Sequence, residues 1–331
     1  MDFEFSDVQH AWREKAQQLG GELAEDAAAG DVVTGAARVG LIDAKADVLA
    51  AALAVEVLAC SSAAAGMMLA LHTSVVLALE DDGFVARSAR LQTIVDSLAR
   101  GEIVGALALS SEDVPSIDGG RLDGRASWVG PITDHGVTLI GARDGANVSV
   151  FVVPLDAAGV RIVPLRTTAL SGFAWANLTL TGTPRIDAGE PTRVMARART
   201  LIAAVALGIG GRALRESLAV VQREHGAGGE QTVQGLLADT ATELEAARML
   251  TWDAAAQGGE VSLGDASMAK LAATGAAQAA VVRATQVVGV DSFRRGHVIE
   301  RLTQDVRAIE LFAGRTEALR EAVAAKALPG G

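Results

Sequence analysis

The sequence predicts an α+β protein in which a helical N-terminal domain is followed by a small β domain and a C-terminal helical bundle. Apolar residues recur at helical spacing from residue 1 to about residue 104. Glycine and proline then separate short β-branched runs over 105–187. Long helical patterns return over 188–331. We therefore predict three domains with these bounds: a helical domain, a barrel or sandwich, and a four-helix bundle with a dimer interface.

The first domain is predicted from apolar spacing and from one helix cap. A helix near the N-terminus places four apolar residues on one face: Val8, Trp12, Ala16 and Leu19. Asp47 precedes the apolar run 48–59, and a carboxylate there can accept the free N–H groups of the first helical turn. Two further helices are predicted over 66–76 and 90–98.

The strands and the later helices follow from the same kind of pattern. Four β-branched runs predict strands, at 137–140, 148–153, 160–163 and 178–180. A stripe of apolar residues predicts one helix of the bundle: Leu237, Ala241, Leu244, Ala247 and Leu250. The run 268–287 is almost entirely small or apolar, so we expect it to be buried on all sides within a bundle or a dimer interface. Gly208-Ile-Gly-Gly interrupts a helical pattern and predicts a close contact between helices.

Composition excludes several classes of function. Forty acidic and 29 basic residues give a net charge of −11, which argues against a nucleic-acid partner. Cys60 is the only cysteine, so no intrachain disulfide is possible. The five histidines lie at no metal-ligand spacing, and we expect no metal site. The N-terminus lacks the pattern of a signal peptide, so we predict a cytoplasmic protein without membrane insertion.

Several motifs in correct order resemble the acyl-CoA dehydrogenase family. The stretch 98–112 is similar to the family's run into a flavin-binding strand, and Gly124-Arg-Ala-Ser-Trp128 is similar to its Gly-x-Lys-x-Trp stretch. Residues 237–248 resemble a helix of its last domain. Residues 299–320 resemble the closing signature, in which a glutamate normally precedes Gly-Thr. Here Ala313 holds the place of that glutamate.

The resemblance implies a three-domain acyl-CoA dehydrogenase fold and an FAD-dependent reaction that forms the α,β-double bond of an acyl-CoA. A carboxylate base takes the α-proton in this reaction, and the flavin takes the hydride. Some family members carry the base on the first long helix of the last domain, where this chain has Ala198. Both expected base positions are therefore alanine. Glu310 and Glu317 lie one turn before and one turn after Ala313, and we interpret both as ordinary solvated side chains.

The resemblance also implies residues that contact the cofactor. Ser111 and Trp128 are expected on the ring side of the flavin, whereas Arg223, Gln286 and Gly289 are expected on its phosphate side. The loop after residue 112 lacks the family's motif, with Ser116 as its one relic. Gly130 stands where the family has a threonine near the flavin.

The leading hypothesis is a base-less subunit that completes a composite site with a homologous acyl-CoA dehydrogenase subunit. It resembles the shorter chain of hetero-oligomeric enzymes that shorten sterol side chains, so a steroid acyl-CoA is one substrate option. Two alternatives stay open. One is a self-sufficient flavoenzyme with a displaced base or with different chemistry in the same pocket. The other is a flavin-free scaffold or binding protein of the same fold.

Overall fold

The computed structural model of the protein describes residues 4–43, 45, 47–81, 89–108, 113–223 and 230–328. Within these residues the chain forms helices, then a mixed β-sheet, then helices again, in the predicted order. The last helix of the first part ends at Ala99 and the first strand begins at Val104. The last strand ends at Gly189, two residues beyond the predicted domain boundary. The division into domains at 104 and 187 remains a prediction.

The N-terminal helices bury their apolar faces in a common core. They are α1 (Asp7–Glu22), α2 (Ala29–Val39), α3 (Val48–Ser61), α4 (Ala63–Asp81) and α5 (Ala89–Ala99). Trp12, Ala16 and Leu19 of α1 are buried as predicted, whereas Val8 is 58% exposed because it lies in the first turn at the surface. The Asp47 carboxylate accepts the Leu49 N–H at 3.0 Å, so the predicted cap of α3 is confirmed.

The central part is one mixed sheet with a small hydrophobic core of its own. Its strands are β1 (Val104–Ala108), β2 (Ser116–Asp118), β3 (Arg121–Val129), β4 (Gly136–Asp144), β5 (Asn147–Pro154), β6 (Val160–Leu165), β7 (Trp175–Thr183) and β8 (Ile186–Gly189). They are ordered β6-β7-β3-β2-β4-β5-β8, and β1 pairs with β4 in parallel. All four predicted strands lie within these elements. The bridge from Leu107 to Gly130 brings β1 back towards the end of β3.

The C-terminal helices pack around one long central helix. They are α6 (Pro191–Arg223), α7 (Gln231–Ala256), α8 (Leu263–Val288), α9 (Val298–Leu311) and α10 (Thr316–Ala327). Helix α6 contacts α7, α8 and α9, and it also packs on α3 and α4 of the first part. It therefore links the two helical regions. Leu244 and Ala247 of the predicted α7 stripe are buried, whereas Leu250 is 39% exposed.

The glycines of α6 permit close contacts between helices, as the sequence predicts. A Cβ on Gly208 would lie 2.5 Å from the Glu56 carbonyl oxygen, and a Cβ on Gly210 would lie 2.5 Å from a methyl carbon of Leu244. Within this single chain the segment 268–287 is not buried on all sides, and burial of its outer face in a dimer interface stays a prediction. Val282 is 57% exposed, because α8 packs on α6 and α7 with only part of its circumference.

Within the part of the chain that the structure describes, two helical segments are long and apolar enough to cross a membrane by length and composition. They are Ala63–Glu80 and Pro191–Arg223, and their windows are 94% and 89% buried inside the fold. Apolar side chains that already pack against protein are not available to lipid. Their composition is therefore explained by the core that α4 and α6 form.

Candidate functional site

The expected base position lies in a tight loop between α9 and α10. Ala313 has a φ of 56°, in the left-handed region that residues with a Cβ adopt infrequently. Its carbonyl oxygen accepts a hydrogen bond from Arg199 Nε at 2.9 Å. The side chain of Ala313 is a methyl group, which makes no hydrogen bond. The loop is therefore held through its backbone, and position 313 has no carboxylate.

The two alanines that the sequence singles out belong to one region. Ala198 is fully buried in α6, directly before the residue that bonds Ala313. The Arg199 guanidinium also donates to Ser267 Oγ of α8 at 2.7 Å. Burial lowers the pKa of Arg199 from its ordinary value. Helix α6 therefore presents a buried cation to the loop, and the residue before that cation is an alanine, not an acid.

Two glutamates flank the loop, and only one of them is near its interior. Glu310 is partly buried, and its carboxylate accepts from Thr316 Oγ1 and Arg307 Nη1, both at 3.1 Å. Glu317 lies in the first turn of α10 and is exposed. The expectation of two solvated side chains thus fits Glu317, whereas Glu310 is held within the loop by its neighbours.

An aromatic cluster joins this loop to the β domain, and it was not predicted from the sequence. The Phe312 ring lies 5.0 Å from the Trp175 ring, measured between centroids. Trp175 also contacts Phe173 at 4.3 Å and Trp128 at 5.9 Å. Aromatic residues are only 3% of the chain. The two aromatic residues at positions 173 and 175 were therefore the feature of the sequence that could have indicated this cluster. We call Trp128, Phe173, Trp175 and Phe312 the aromatic cluster.

Trp128 is the member of the aromatic cluster that faces outward. Its side chain is 54% exposed, and its φ of 56° is unusual for a bulky residue. The main-chain N–H of Trp128 donates to the Asn177 side-chain oxygen at 3.1 Å, and this bond stabilises the backbone conformation. Strained backbone of this kind is concentrated at functional sites. An exposed indole on an aromatic support offers a surface on which a planar ring can stack.

Gly130 has a structural reason for lacking a side chain. A Cβ at this position would lie 2.3 Å from Cε1 of Phe173, a distance that real Cβ atoms do not show. The ring of Phe173 therefore occupies the space that a threonine at residue 130 would need. Ser116 lies in β2 and is exposed. Ser111 falls outside the described residues.

The β6–β7 loop, which carries Phe173, is anchored by Asp305 of α9. The Asp305 carboxylate accepts the Leu170 N–H at 2.6 Å. Burial raises the pKa of Asp305 to about 6, although the Leu170 N–H opposes this rise. The nearby Arg301, which also lowers the pKa of Asp305 through its charge, pairs with Glu25.

The residues expected on the phosphate side come together at the far end of the bundle. Helices α6 and α8 run parallel, because Arg199 contacts Ser267 and Gly210 lies against Ala277. The end of α6 is therefore beside the end of α8. Arg223, Gln286 and Gly289 lie at these two ends.

These three residues have features that suit an anionic group. Arg223 and Gln286 are exposed. Gly289 has a φ of 72°, and nothing lies within 4 Å of the position that its Cβ would take. Backbone can therefore approach a ligand closely there. An exposed guanidinium, an exposed amide and open backbone are groups that can bind an anion.

The two groups of residues are far apart within one chain. Ala198 lies next to the loop that contacts the aromatic cluster, and Arg223 ends the same helix. At 1.5 Å per residue, the two positions are separated by about 37 Å along α6. We call the region around Trp128 and the region around Arg223 the two candidate half-sites.

Comparison with known proteins identifies the fold and a close set of relatives. The acyl-CoA dehydrogenase C-terminal domain model matches residues 191–328. Short-chain specific acyl-CoA dehydrogenase of Rattus norvegicus is 25% identical over 315 residues, covering 84% of this chain and 75% of the relative. 3-Sulfinopropanoyl-CoA desulfinase of Paraburkholderia xenovorans is 30% identical over 228 residues, covering 62% and 59%.

A solved structure supports the same architecture. Glutaryl-CoA dehydrogenase of Mycobacterium smegmatis in complex with FADH2 superposes with a TM-score of 0.86. The match covers 99% of this chain and 96% of that one at 17% identity. The predicted fold is thereby confirmed.

Proposed function

The C-terminal domain model and the relatives support the acyl-CoA dehydrogenase family for this chain, and on that premise we propose that it is a base-less subunit of an FAD-dependent acyl-CoA dehydrogenase. Such a subunit binds flavin and acyl-CoA together with a homologous partner that supplies the carboxylate. The observation that carries the proposal is the pair of alanines at 198 and 313, which the fold brings to one region through Arg199.

The cofactor supplies the redox chemistry when it is bound. In this proposal Trp128 offers its indole to the flavin ring, and Arg223, Gln286 and Gly289 contact the phosphate side of a second flavin. The separation of about 37 Å along α6 supports sharing, because each half-site needs its complement from another subunit. A methyl group at 313 can neither accept the α-proton nor change its charge, so the proton must pass to a group on the partner.

A steroid or other bulky acyl chain, a hetero-oligomeric assembly and a cytoplasmic location are parts of this proposal that follow from the resemblance. The test of assembly is direct. The chain is purified alone and together with the homologous dehydrogenase encoded beside it, and the native mass and the flavin-to-chain ratio are measured. We expect bound flavin and acyl-CoA oxidation only in the joint assembly. A chain that oxidises an acyl-CoA alone, with its own flavin, contradicts the proposal.

A second test restores the missing group. In the joint assembly we expect Ala313→Glu to raise the fraction of flavin that is bleached when butyryl-CoA or a bulkier acyl-CoA is added without oxygen. Ala313→Gln is the matched control, because it has the same size and no basic carboxylate. Equal bleaching by both variants would show that position 313 lies away from the reacting carbon.

The runner-up function is a self-sufficient flavoenzyme, and one observation favours it. Glu310 is a partly buried carboxylate near the end of α9, and it is hydrogen-bonded by Thr316 and Arg307. The relative named as a desulfinase also indicates that chemistry other than dehydrogenation occurs among similar chains. Activity of the chain alone that is lost in Glu310→Gln would support this alternative. A joint assembly without any flavin absorbance would instead support the scaffold.

A further inference from the structure

Lys270 is a fully buried cation to which the proposed function gives no role. It lies on α8, and none of its surface is exposed. Its Nζ donates to three carbonyl oxygens: Glu310 at 3.1 Å, Phe312 at 2.5 Å and Gly314 at 2.8 Å. These carbonyls belong to the end of α9 and to the loop that follows it.

The three bonds match the donor capacity of an ammonium group. The last carbonyls of a helix have no partner within the helix and carry partial negative charge. A protonated lysine has three N–H donors, one for each of these oxygens. A neutral amine has two hydrogens and a lone pair, which would face a carbonyl. The loop is therefore fully bonded only while Lys270 carries its proton.

Arg199 completes the hold on the loop from the opposite helix. Its Nε bonds the Ala313 carbonyl, so the oxygens of residues 312, 313 and 314 are all taken by buried cations. The guanidinium also lies 2.7 Å from the position that a Cβ on Gly314 would take. The backbone of this loop thus has little freedom to move while both cations stay charged.

The loop position reaches the β domain through one ring. Lys270 bonds the carbonyl of Phe312, whose side chain packs on Trp175. Trp175 in turn supports the exposed Trp128. A shift of the loop therefore changes the support of the indole that we assign to the flavin.

We propose that Lys270 is the positioning residue of the loop at 312–314 and that loss of its proton releases Phe312 from Trp175. The release regulates the ring-side half-site. Its effect on flavin rests on the proposed function, whereas the position of the loop depends only on this chain.

The surroundings of Lys270 set where that proton is lost. Burial and the charge of Arg199 lower the pKa of Lys270 to about 7, and Glu310 opposes this change. From α9, Glu310 pairs with Arg307. From α10, Lys326 pairs with Asp265 at the start of α8. Arginine stays protonated throughout the neutral range, so the bond from Arg199 persists when Lys270 titrates.

The test uses the flavin-free chain, with tryptophan emission and amide hydrogen exchange followed from pH 5.5 to 9. We expect the emission to shift and the protection of the Phe312 amide to fall by about tenfold or more through neutral pH. In Lys270→Met the loop is released at every pH, so the shift disappears. Lys326→Met is the matched control and should keep the transition. Far-UV circular dichroism confirms that each variant is folded.

A further variant assigns the optical signal. Phe312→Leu should lose the emission shift and keep the exchange transition, since the lysine bonds only the backbone of that residue. Wild-type protein without a transition, or an unchanged transition in Lys270→Met, overturns the proposal. The flavin-to-chain ratio of the joint assembly is measured separately. A flavin-free assembly with an intact pH transition would reject the proposed function and leave the positioning role of Lys270 in place.

Discussion

At the scale of single residues, the buried side chains of His72 and Asp305 have opposite effects on how stability depends on pH. His72 is fully buried, with Nε2 bonded to the Leu98 carbonyl at 3.2 Å and Nδ1 accepting the Gly105 N–H at 3.1 Å. It therefore joins α4, the end of α5 and β1 in the core. Burial lowers the pKa of His72 to about 4. Burial raises the pKa of Asp305 to about 6.

The signs follow from proton linkage. The unfolded histidine binds a proton below about pH 6.5 and the folded one only near pH 4, so stability falls as the pH drops through this window. The folded aspartate binds its proton near pH 6 and the unfolded one near pH 4, so stability rises as the pH drops. Each effect amounts to about 3 kcal/mol across its window. Together they largely cancel between pH 4 and 6.

When one of the two groups is replaced, the pH dependence that the other group gives to the unfolding free energy should become measurable. Relative to wild type, Asp305→Asn is expected to lose unfolding free energy as the pH drops from about 6 to 4. His72→Gln is expected to gain unfolding free energy, relative to wild type, over a similar window. Urea unfolding at pH 4.5, 5.5 and 7 measures both differences. Parallel pH profiles for the two variants would contradict this assignment.

At the scale of helices, α6 depends on two kinds of contact. Its glycines let α3 and α7 approach closely, and its first turns place Arg199 beside the loop. The helix therefore stabilises the core and also positions the candidate site. A change in its packing should affect both.

The packing contribution of α6 has a matched control in α8. A Cβ on Gly208 would meet the Glu56 carbonyl and the Ala59 Cβ, so Gly208→Ala should lower the unfolding free energy by about 1–3 kcal/mol. Gly275 lies in α8 with nothing within 4 Å of its Cβ position. Gly275→Ala should raise the unfolding free energy by about 0.5–1 kcal/mol. Thermal unfolding of the two variants measures this difference. Equal shifts in their melting temperatures would exclude a close contact at Gly208.

At the scale of the whole molecule, the distance between the two half-sites is the main feature. The aromatic cluster and Arg223 lie near opposite ends of α6. Under the proposed function, one flavin is then shared between two subunits, and cofactor binding depends on assembly.

Flavin affinity should report the phosphate-side half-site. In the joint assembly we expect Arg223→Ala to weaken FAD binding about tenfold, since a charge-assisted hydrogen bond contributes about 1.5–3 kcal/mol. The loss should shrink at high salt, where charge attraction is screened. Arg161→Ala, at an exposed position of β6, is the control. An unchanged dissociation constant in Arg223→Ala would remove this residue from the half-site.

The sequence by itself determined the order of helices and strands, the cap at Asp47, the close contacts of the α6 glycines, and the absence of an acid at residues 198 and 313. These properties depend on local periodicity and on residue identity, which are readable along the chain. They were sufficient to predict the fold and to raise the question of the missing base.

Only the tertiary structure decided which distant residues meet. Trp175 contacts Phe312, and Lys270 bonds the loop beyond α9, across long separations in sequence. The position of Lys270 in an alanine-rich helix does not reveal its burial. That burial depends on hydrogen bonds to three carbonyl oxygens that are distant in sequence. The separation of the half-sites likewise depends on the parallel packing of α6 and α8. The spacing of residues along the sequence does not predict such contacts, because they form only when the folded helices and strands pack together.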